Sequence, residues 1–124
     1  MFSVLATLAF LIAGCQKQQS VAPPVTFPVS GKVMIGSRPA PAGTLVQFEP
    51  KNRNLRAQGV VGVEGNFSLF VISHSERFEG ATAGIHRAMV VLPLTQDRKG
   101  GERITVDGIY VVEPRPTEFV LRIK

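Results

Sequence analysis

Hydrophobic and polar residues alternate through much of the chain after its first quarter. In the first such stretch Val29, Val33 and Ile35 fall on one face at a period of two, and Ser30 and Lys32 fall on the other. Alternation of this kind is typical of a strand that turns one face toward a core. Beyond the first fourteen residues, no window keeps the 3.6-residue period of a helix. The pattern therefore predicts an all-β protein.

The same pattern predicts roughly seven short strands separated by Gly, Pro and Asn turns, which favours an antiparallel sandwich. We expect a hairpin around Glu64-Gly65-Asn66, and we expect the last two strands to pair with each other. The predicted strands are Pro28–Ile35, Val46–Glu49, Gln58–Val63, Phe67–Val71, Gly84–Val91, Ile109–Val112 and Glu118–Ile123, with Ile104–Val106 as a shorter candidate.

Two polar segments interrupt the predicted strands, namely Ser73–Ala83 and Leu94–Arg103. Both are expected to be exposed loops, and loops of this kind often provide contact surfaces. Within the strands, the alternation places the side chain of Gln47 outward and that of His86 inward or at the rim of the sandwich.

The first fourteen residues differ from the rest of the chain. An apolar run, Val4–Ala13, is closed by small residues in front of Cys15, and the polar segment Gln16–Val25 follows. As a helix, fourteen residues span about 21 Å at 1.5 Å per residue, which is too short for a hydrocarbon core of about 30 Å. The segment resembles the signal peptide of a bacterial lipoprotein, in which a cysteine is lipidated after cleavage.

This resemblance divides the chain into three parts. Residues 1–14 are the expected signal-peptide helix, residues 15–25 a flexible tether and residues 26–124 a single domain. Cys15 is the expected lipidation site and would hold an exported protein on a membrane of the cell envelope, either inner or outer. Met1-Phe2-Ser3 has no Lys or Arg, which such a leader normally carries, so either the natural start lies upstream or export is inefficient.

Composition and charge narrow the possible partners. The net charge of +5 and the pI of about 10.0 suggest a nucleic-acid partner. The Lys and Arg residues are scattered, however, and an exported protein has little access to nucleic acid, so we expect none. Anionic lipid headgroups or acidic glycans fit the charge better. Because Cys15 is the only cysteine, no internal disulfide can form and no second thiol is present for redox chemistry.

Four motifs in order resemble the carboxypeptidase regulatory-like domains. They are Pro28–Val33 (PVSGKV), Val46–Pro50 (VQFEP), Glu64–Phe67 (EGNF) and Gly84–Val90. The similarity extends over roughly Pro28–Ile123. It implies a prealbumin-like (transthyretin-like), seven-stranded antiparallel Greek-key sandwich. Together with the leader, the chain is similar to short lipoproteins of planctomycete-type bacteria that contain this domain.

Few residues invite a chemical interpretation. Ser73-His74-Ser75-Glu76 contains the residue types of a catalytic triad, but sequence neighbours rarely reach that geometry, and a solvated loop is the better interpretation. His86 stands where the resembled family usually has an aromatic residue, and we expect its polar tip to be hydrogen-bonded. Two histidines and scattered carboxylates predict no metal site and no cofactor. Asp97–Arg103 could hold an anion but lacks the context of a phosphate-binding loop.

The expected function is that of a non-catalytic interaction or scaffold module, with an envelope protein or glycan as its partner. The alternative is a small-ligand or glycan binder, which should have an aromatic-lined cleft, although the chain has one Tyr and no Trp. A transthyretin-like hydrolase is less favoured. The hydroxyisourate hydrolases end in Tyr-Arg-Gly-Ser, whereas this chain ends in Leu121-Arg122-Ile123-Lys124, and fold analogy is weak evidence for activity.

Overall fold

The computed structural model describes residues 22–52, 55–93 and 103–124. These residues form two β-sheets around a shared apolar core, so the fold is all-β and sandwich-like, as the alternation predicted. Among the described residues the one helical element is a single 3-10 turn, Val63–Gly65.

Eleven strands build the two sheets. In chain order they are β1 (Val29–Ile35), β2 (Arg38–Pro39), β3 (Leu45–Pro50), β4 (Ala57–Val60), β5 (Asn66–Ser68), β6 (Phe70–Ser73), β7 (Glu76–Glu79), β8 (Gly84–Val91), β9 (Arg103–Thr105), β10 (Tyr110–Val112) and β11 (Thr117–Ile123). The expected number was seven. One predicted strand, Phe67–Val71, is divided into β5 and β6, the shorter candidate is present as β9, and β2 and β7 lie in segments between the predicted strands. All but one of the strand pairs are antiparallel.

The four-stranded sheet has β1 at its centre. On one side β1 pairs along its whole length with β11, and on the other it pairs with β5 and then with β2. The β1–β11 pair is parallel, so the expectation of a purely antiparallel sandwich was wrong at this point. Parallel neighbours require a long connection between them, and here almost the whole domain lies between the two strands.

The seven-stranded sheet has the order β10-β8-β3-β4-β6-β7, with β9 also pairing with β8. The expected closing pair of the last two predicted strands was wrong. Strand β10 pairs with β8 in this sheet, whereas β11 crosses to the four-stranded sheet. The link between them is Glu113–Pro116, and its two prolines lack the N–H that a continuing ladder needs.

The core contains the residues that the alternation placed inside. Val33, Val46, Phe48, Val90 and Leu121 are fully buried and come from both sheets. One outward prediction was wrong, because the side chain of Gln47 is only 8% exposed on the outer face of the seven-stranded sheet. It lies between its register partners Gln58 and Met89, and such neighbours cover a polar side chain that alternation alone treats as solvated.

The segment Ser73–Ala83 was expected to be a loop but contains β7. Strand β7 pairs with β6 through a two-residue turn at His74-Ser75, and both residues have positive φ (50° and 66°). Turns of this shape usually contain Asn or Gly, so His-Ser gave no turn signal. The turn at Glu64-Gly65 is present, with φ of 80° at Gly65. The following strand, β5, pairs with β1, and only β6 returns to β4.

The close approach of β1 and β11 requires a glycine. A Cβ atom added to Gly31 would lie within 1.9 Å of the carbonyl oxygen of Phe119, its register partner. Only a residue without a side chain permits this contact. The glycine of the predicted Pro28–Val33 motif is therefore needed for the pairing of the first and last strands.

Candidate functional site

The predicted lipidation site, Cys15, lies outside the described residues, as do the expected signal-peptide helix and most of the expected tether. In the described part of the chain, no helix has the length and apolar character needed to span a membrane. The remaining candidate chemistry is centred on His86.

His86 lies near the start of β8 and points into the core, as the alternation predicted, with 1% of its surface exposed. Its register partners are Pro50 on β3 and Tyr110 on β10. Because inward residues on neighbouring strands share a face, this register brings an imidazole, a proline ring and a phenol together at one end of the sandwich.

An aromatic cluster surrounds this position. The Phe48 ring is the centre, with centroid distances of 5.8 Å to His86, 5.7 Å to Tyr110 and 5.6 Å to Phe119. Tyr110 and Phe119 meet edge to face at 5.4 Å. Tyr110 belongs to the seven-stranded sheet and Phe119 to the four-stranded sheet, so the cluster joins the two sheets.

The imidazole of His86 has one hydrogen bond. Nε2–H donates to the main-chain carbonyl of Thr82 at 2.8 Å, which leaves Nδ1 as a buried acceptor without a partner. Burial lowers the pKa of His86 below its usual value, and the bond to the Thr82 carbonyl opposes that shift. The ring is therefore neutral at pH 7. The expected hydrogen bond of the polar tip is confirmed for one nitrogen.

Two further buried polar atoms lack a partner among the described residues, namely Oγ1 of Thr82 and Oε1 of Gln47. Thr82 is also the residue whose carbonyl holds His86, so two unpaired polar groups, Thr82 Oγ1 and His86 Nδ1, belong to one local arrangement. Buried polar groups without a partner are uncommon in folded proteins and call for an explanation such as a bound water or ligand.

A cleft of about 290 Å³ lies beside this arrangement. Glu49, Lys51, Ile85, Arg87 and Ile109 contribute to its wall, and His86 also borders it. The cleft is near the lower limit of ligand pockets, which are usually about 300–1,000 Å³. No Phe or Tyr is among its lining residues, so it is not the aromatic-lined cleft expected of a glycan binder.

Tyr110 was not singled out by the sequence, although it was the only tyrosine. Its hydroxyl donates to the main-chain carbonyl of Asp107 at 3.0 Å. Burial raises the pKa of Tyr110, and the nearby carboxylate of Asp107 adds to the effect. The sequence analysis also missed Thr82 as a partner of His86. A threonine in a polar segment gives no sign that it is buried, as Thr82 is in the structure.

His74 is exposed in the β6–β7 turn. Strands β3 and β4 stand between β6 and β8, so His74 and His86 are separated by at least about 14 Å at about 4.8 Å per strand. In the described residues no three His, Cys, Asp or Glu side chains gather in a way that could hold a metal ion. Of the segment Asp97–Arg103, all but Arg103 lies outside the described residues.

The geometry of His86 determines what it can do. Neither ring nitrogen bonds to a side chain in the part of the chain that is described, so the arrangement forms neither a nucleophile–base pair nor a base–acid pair. It provides a buried hydrogen-bond acceptor, Nδ1, on a ring whose other nitrogen is held by the Thr82 carbonyl.

Comparison of the chain with family models, with curated proteins and with solved structures gave no match. The resemblance to the carboxypeptidase regulatory-like domains therefore stays a prediction from four motifs.

Proposed function

We propose that the chain is a lipid-anchored protein of the cell envelope, whose prealbumin-like Greek-key sandwich acts as a non-catalytic interaction or scaffold module. The observation on which the proposal depends is the position of Cys15, which directly follows an apolar run and small residues and directly precedes a polar segment. The net charge of +5 is favourable next to anionic headgroups.

The place where the tether meets the domain supports this arrangement. Pro23 and Pro24 border a shallow groove together with His74 and other residues of the β6–β7 hairpin. Thr26 follows, and its hydroxyl donates to the carbonyl of Glu79 on β7 at 2.7 Å. The chain therefore enters the domain along β7, which would turn this end of the sandwich toward the membrane and leave the other surfaces accessible.

An exposed apolar patch supports the interaction role. Ile85 and Val111 are register partners on the outer face of β8 and β10, with 44% and 48% of their surfaces exposed. Ile109 lies two residues before Val111 in the chain, is 68% exposed and borders the same cleft as Ile85. Grouped apolar side chains on a protein surface commonly mark contact sites.

A second candidate function is the binding of a small polar ligand in the cleft beside His86. His86 favours it, because this residue borders the cleft and its Nδ1 has no partner among the described residues, so a ligand that donated a hydrogen bond would satisfy Nδ1 after a turn of the ring toward the cleft. A screen of small polar compounds by NMR should then shift the main-chain amide resonances of the residues that line the cleft, and His86→Gln should abolish these shifts. Ligand-induced shifts that persist in His86→Gln would contradict this candidate.

The anchor is tested by Cys15→Ser in the full chain, expressed in a bacterial host and labelled with a radioactive fatty acid. The expected result is loss of the label, accumulation of the longer precursor and loss of the protein from the membrane fraction. A matched control places a cysteine elsewhere, as Ser20→Cys in the Cys15→Ser chain. This variant keeps one cysteine but should not regain the label, because the residues before position 20 do not form the cleavage motif. Unchanged labelling of Cys15→Ser would overturn the anchor.

A further inference from the structure

Strand β11 is a long strand with one free edge. It pairs along its whole length with β1, and no other described strand pairs with it. At seven residues it is longer than β7 or β10, the strands at the two edges of the other sheet. Within Thr117–Ile123 it contains neither Pro nor Gly, the residues that commonly interrupt an exposed edge.

The two ends of β11 show which main-chain groups face this edge. The N–H of Thr117 donates to Pro28, and the carbonyl of Ile123 accepts from Gly36, so both residues turn their main chain toward β1. Main-chain groups of a strand alternate between its two sides. Glu118, Val120 and Arg122 must therefore turn their N–H and C=O groups toward the free edge.

The side chains of the same three residues lie on the outer face of the four-stranded sheet. All three are exposed, and Val120 is exposed by 53%. Glu118 and Arg122 form no ion pair with any described residue. Along one strand they are four residues apart, about 13 Å, so they cannot reach each other.

We propose that β11 pairs with β11 of a second copy of this chain, antiparallel and centred on Val120. In this register Val120 faces Val120 of the second copy, and Glu118 faces Arg122 of the second copy in two symmetry-related positions. All outward N–H and C=O groups of the three residues meet partners, because hydrogen-bonded pairs recur every second residue in an antiparallel ladder. Such an interface has the two-fold symmetry that is commonest among homodimers.

Neighbouring registers are less favourable. A shift by two residues in one direction sets Glu118 opposite Val120 and leaves Arg122 without a partner. The same shift in the other direction sets Arg122 opposite Val120 and Glu118 opposite Lys124, which lies beyond the last residue of β11. A larger shift sets Glu118 opposite Glu118, or Arg122 opposite Arg122, and like charges directly opposite each other are destabilising. Within β11, both charges meet an opposite charge only when Val120 is at the centre. This self-complementarity favours a second copy over a foreign peptide.

This inference deepens the interaction part of the proposed function by naming the partner, and it does not depend on the lipid on Cys15. Its first test is charge reversal in the full chain, purified in a mild detergent, with the protein mass measured by light scattering over a range of concentrations. Glu118→Arg and Arg122→Glu should each weaken the dimer about 10- to 30-fold, because two attractive contacts become repulsive.

The double variant, Glu118→Arg with Arg122→Glu, restores opposite charges in the same register and should regain the dimer. Each protein is first checked for an unchanged melting temperature, since both positions are exposed. A wild-type chain that is a monomer at every concentration would overturn the proposal. A double variant that associates no better than the single variants would overturn the register.

A second test uses the hydrogen-bonding pattern. Val120→Pro removes an N–H that faces the free edge, and it removes no hydrogen bond between β11 and β1. The variant should therefore keep its fold and lose the dimer. Val120→Cys should form a disulfide between two copies in oxidised membranes, whereas Val111→Cys on the other sheet should not. The wild-type protein, in which Cys15 is the one cysteine, gives the background level of cross-linking. Equal cross-linking at both positions would contradict a specific edge, while the labelling of Cys15 tests the anchor separately.

Discussion

Strand β11 belongs to two regions of the molecule, the buried aromatic cluster and the exposed free edge of the four-stranded sheet. The two regions use their polar groups in opposite ways. Phe119 turns inward and belongs to the aromatic cluster around Phe48, where the imidazole of His86 is sealed from water. Its neighbour Val120 turns outward between Glu118 and Arg122, which are exposed and unpaired among the described residues.

The difference shows how polar groups divide between stability and recognition in this fold. A buried polar group affects the free energy of unfolding, because it loses water and must be satisfied inside the protein. An exposed charge on a sheet edge contributes little to stability but selects what can pair with that edge. Substitutions in the cluster should therefore change stability, whereas substitutions on the edge should change association.

The largest expected loss of stability comes from Phe48→Ala. Phe48 is fully buried at the centre of the cluster, so its removal leaves a cavity between the two sheets. We expect the free energy of unfolding to fall by about 3–5 kcal/mol, measured by denaturant titration. The matched control on the other region is Val120→Ala, which should change it by no more than about 0.5 kcal/mol. Similar losses in the two variants would break the comparison.

The next effect concerns the contact between the first and last strands. Gly31→Ala places a Cβ atom against the carbonyl of Phe119 and should cost about 1–3 kcal/mol, because main chain must move. Gly62→Ala is the control, since the nearest atom to its added Cβ is 4.0 Å away. Thermal unfolding of the two variants should differ clearly. Equal melting temperatures would show that β11 is not held closely against β1.

A smaller effect should appear as pH dependence. Burial lowers the pKa of His86 in the folded protein, so the unfolded chain binds a proton more readily. Stability is therefore complete above the unfolded pKa and declines as the pH falls below about 6.5 toward the folded pKa. The free energy of unfolding should be lower at pH 5 than at pH 7, and His86→Gln should reduce this difference. Val120→Ala, an exposed control that removes no titratable group, should leave the difference unchanged, and an equal reduction in the two variants would contradict the role of His86.

The smallest effect is expected at the edge of the other sheet. The guanidinium of Arg77 on β7 lies 3.9 Å from the centre of the Phe70 ring and bonds to Glu79 at 2.8 Å, but it is exposed. Arg77→Ala should lower the free energy of unfolding by no more than about 1 kcal/mol. It should also leave the dimer intact, as measured by light scattering on the full chain. A loss of the dimer in Arg77→Ala would move the interface from β11 to β7.

The sequence predicted much of the strand content and little of the pairing. Alternation located β1, β3 and β8 and placed Val33, Phe48 and His86 inside, as the structure confirms. It failed at β7, because the turn before that strand is made by residues that seldom adopt positive φ. Periodicity records which face a residue takes on its own strand, and it contains no information on which strand lies next to it.

The candidate site shows the same limit. His86 could be identified as a polar residue on an inward face, but Tyr110 and Thr82 could not be connected to it. Tyr110 reaches it because β10 returns to pair with β8, whereas Thr82 lies four residues before it in a segment that was expected to be a loop. The burial of Gln47 likewise depends on the neighbours that β4 and β8 supply.

By itself the sequence determined the class of the fold and the inward residues of the main strands, because both follow from the local alternation of side chains and from the removal of apolar side chains from water. Only the tertiary structure decided that β11 crosses to the other sheet and lies parallel to β1 with its far edge free. That choice depends on the simultaneous packing of both sheets around Phe48, in which residues far apart in the chain must fit together.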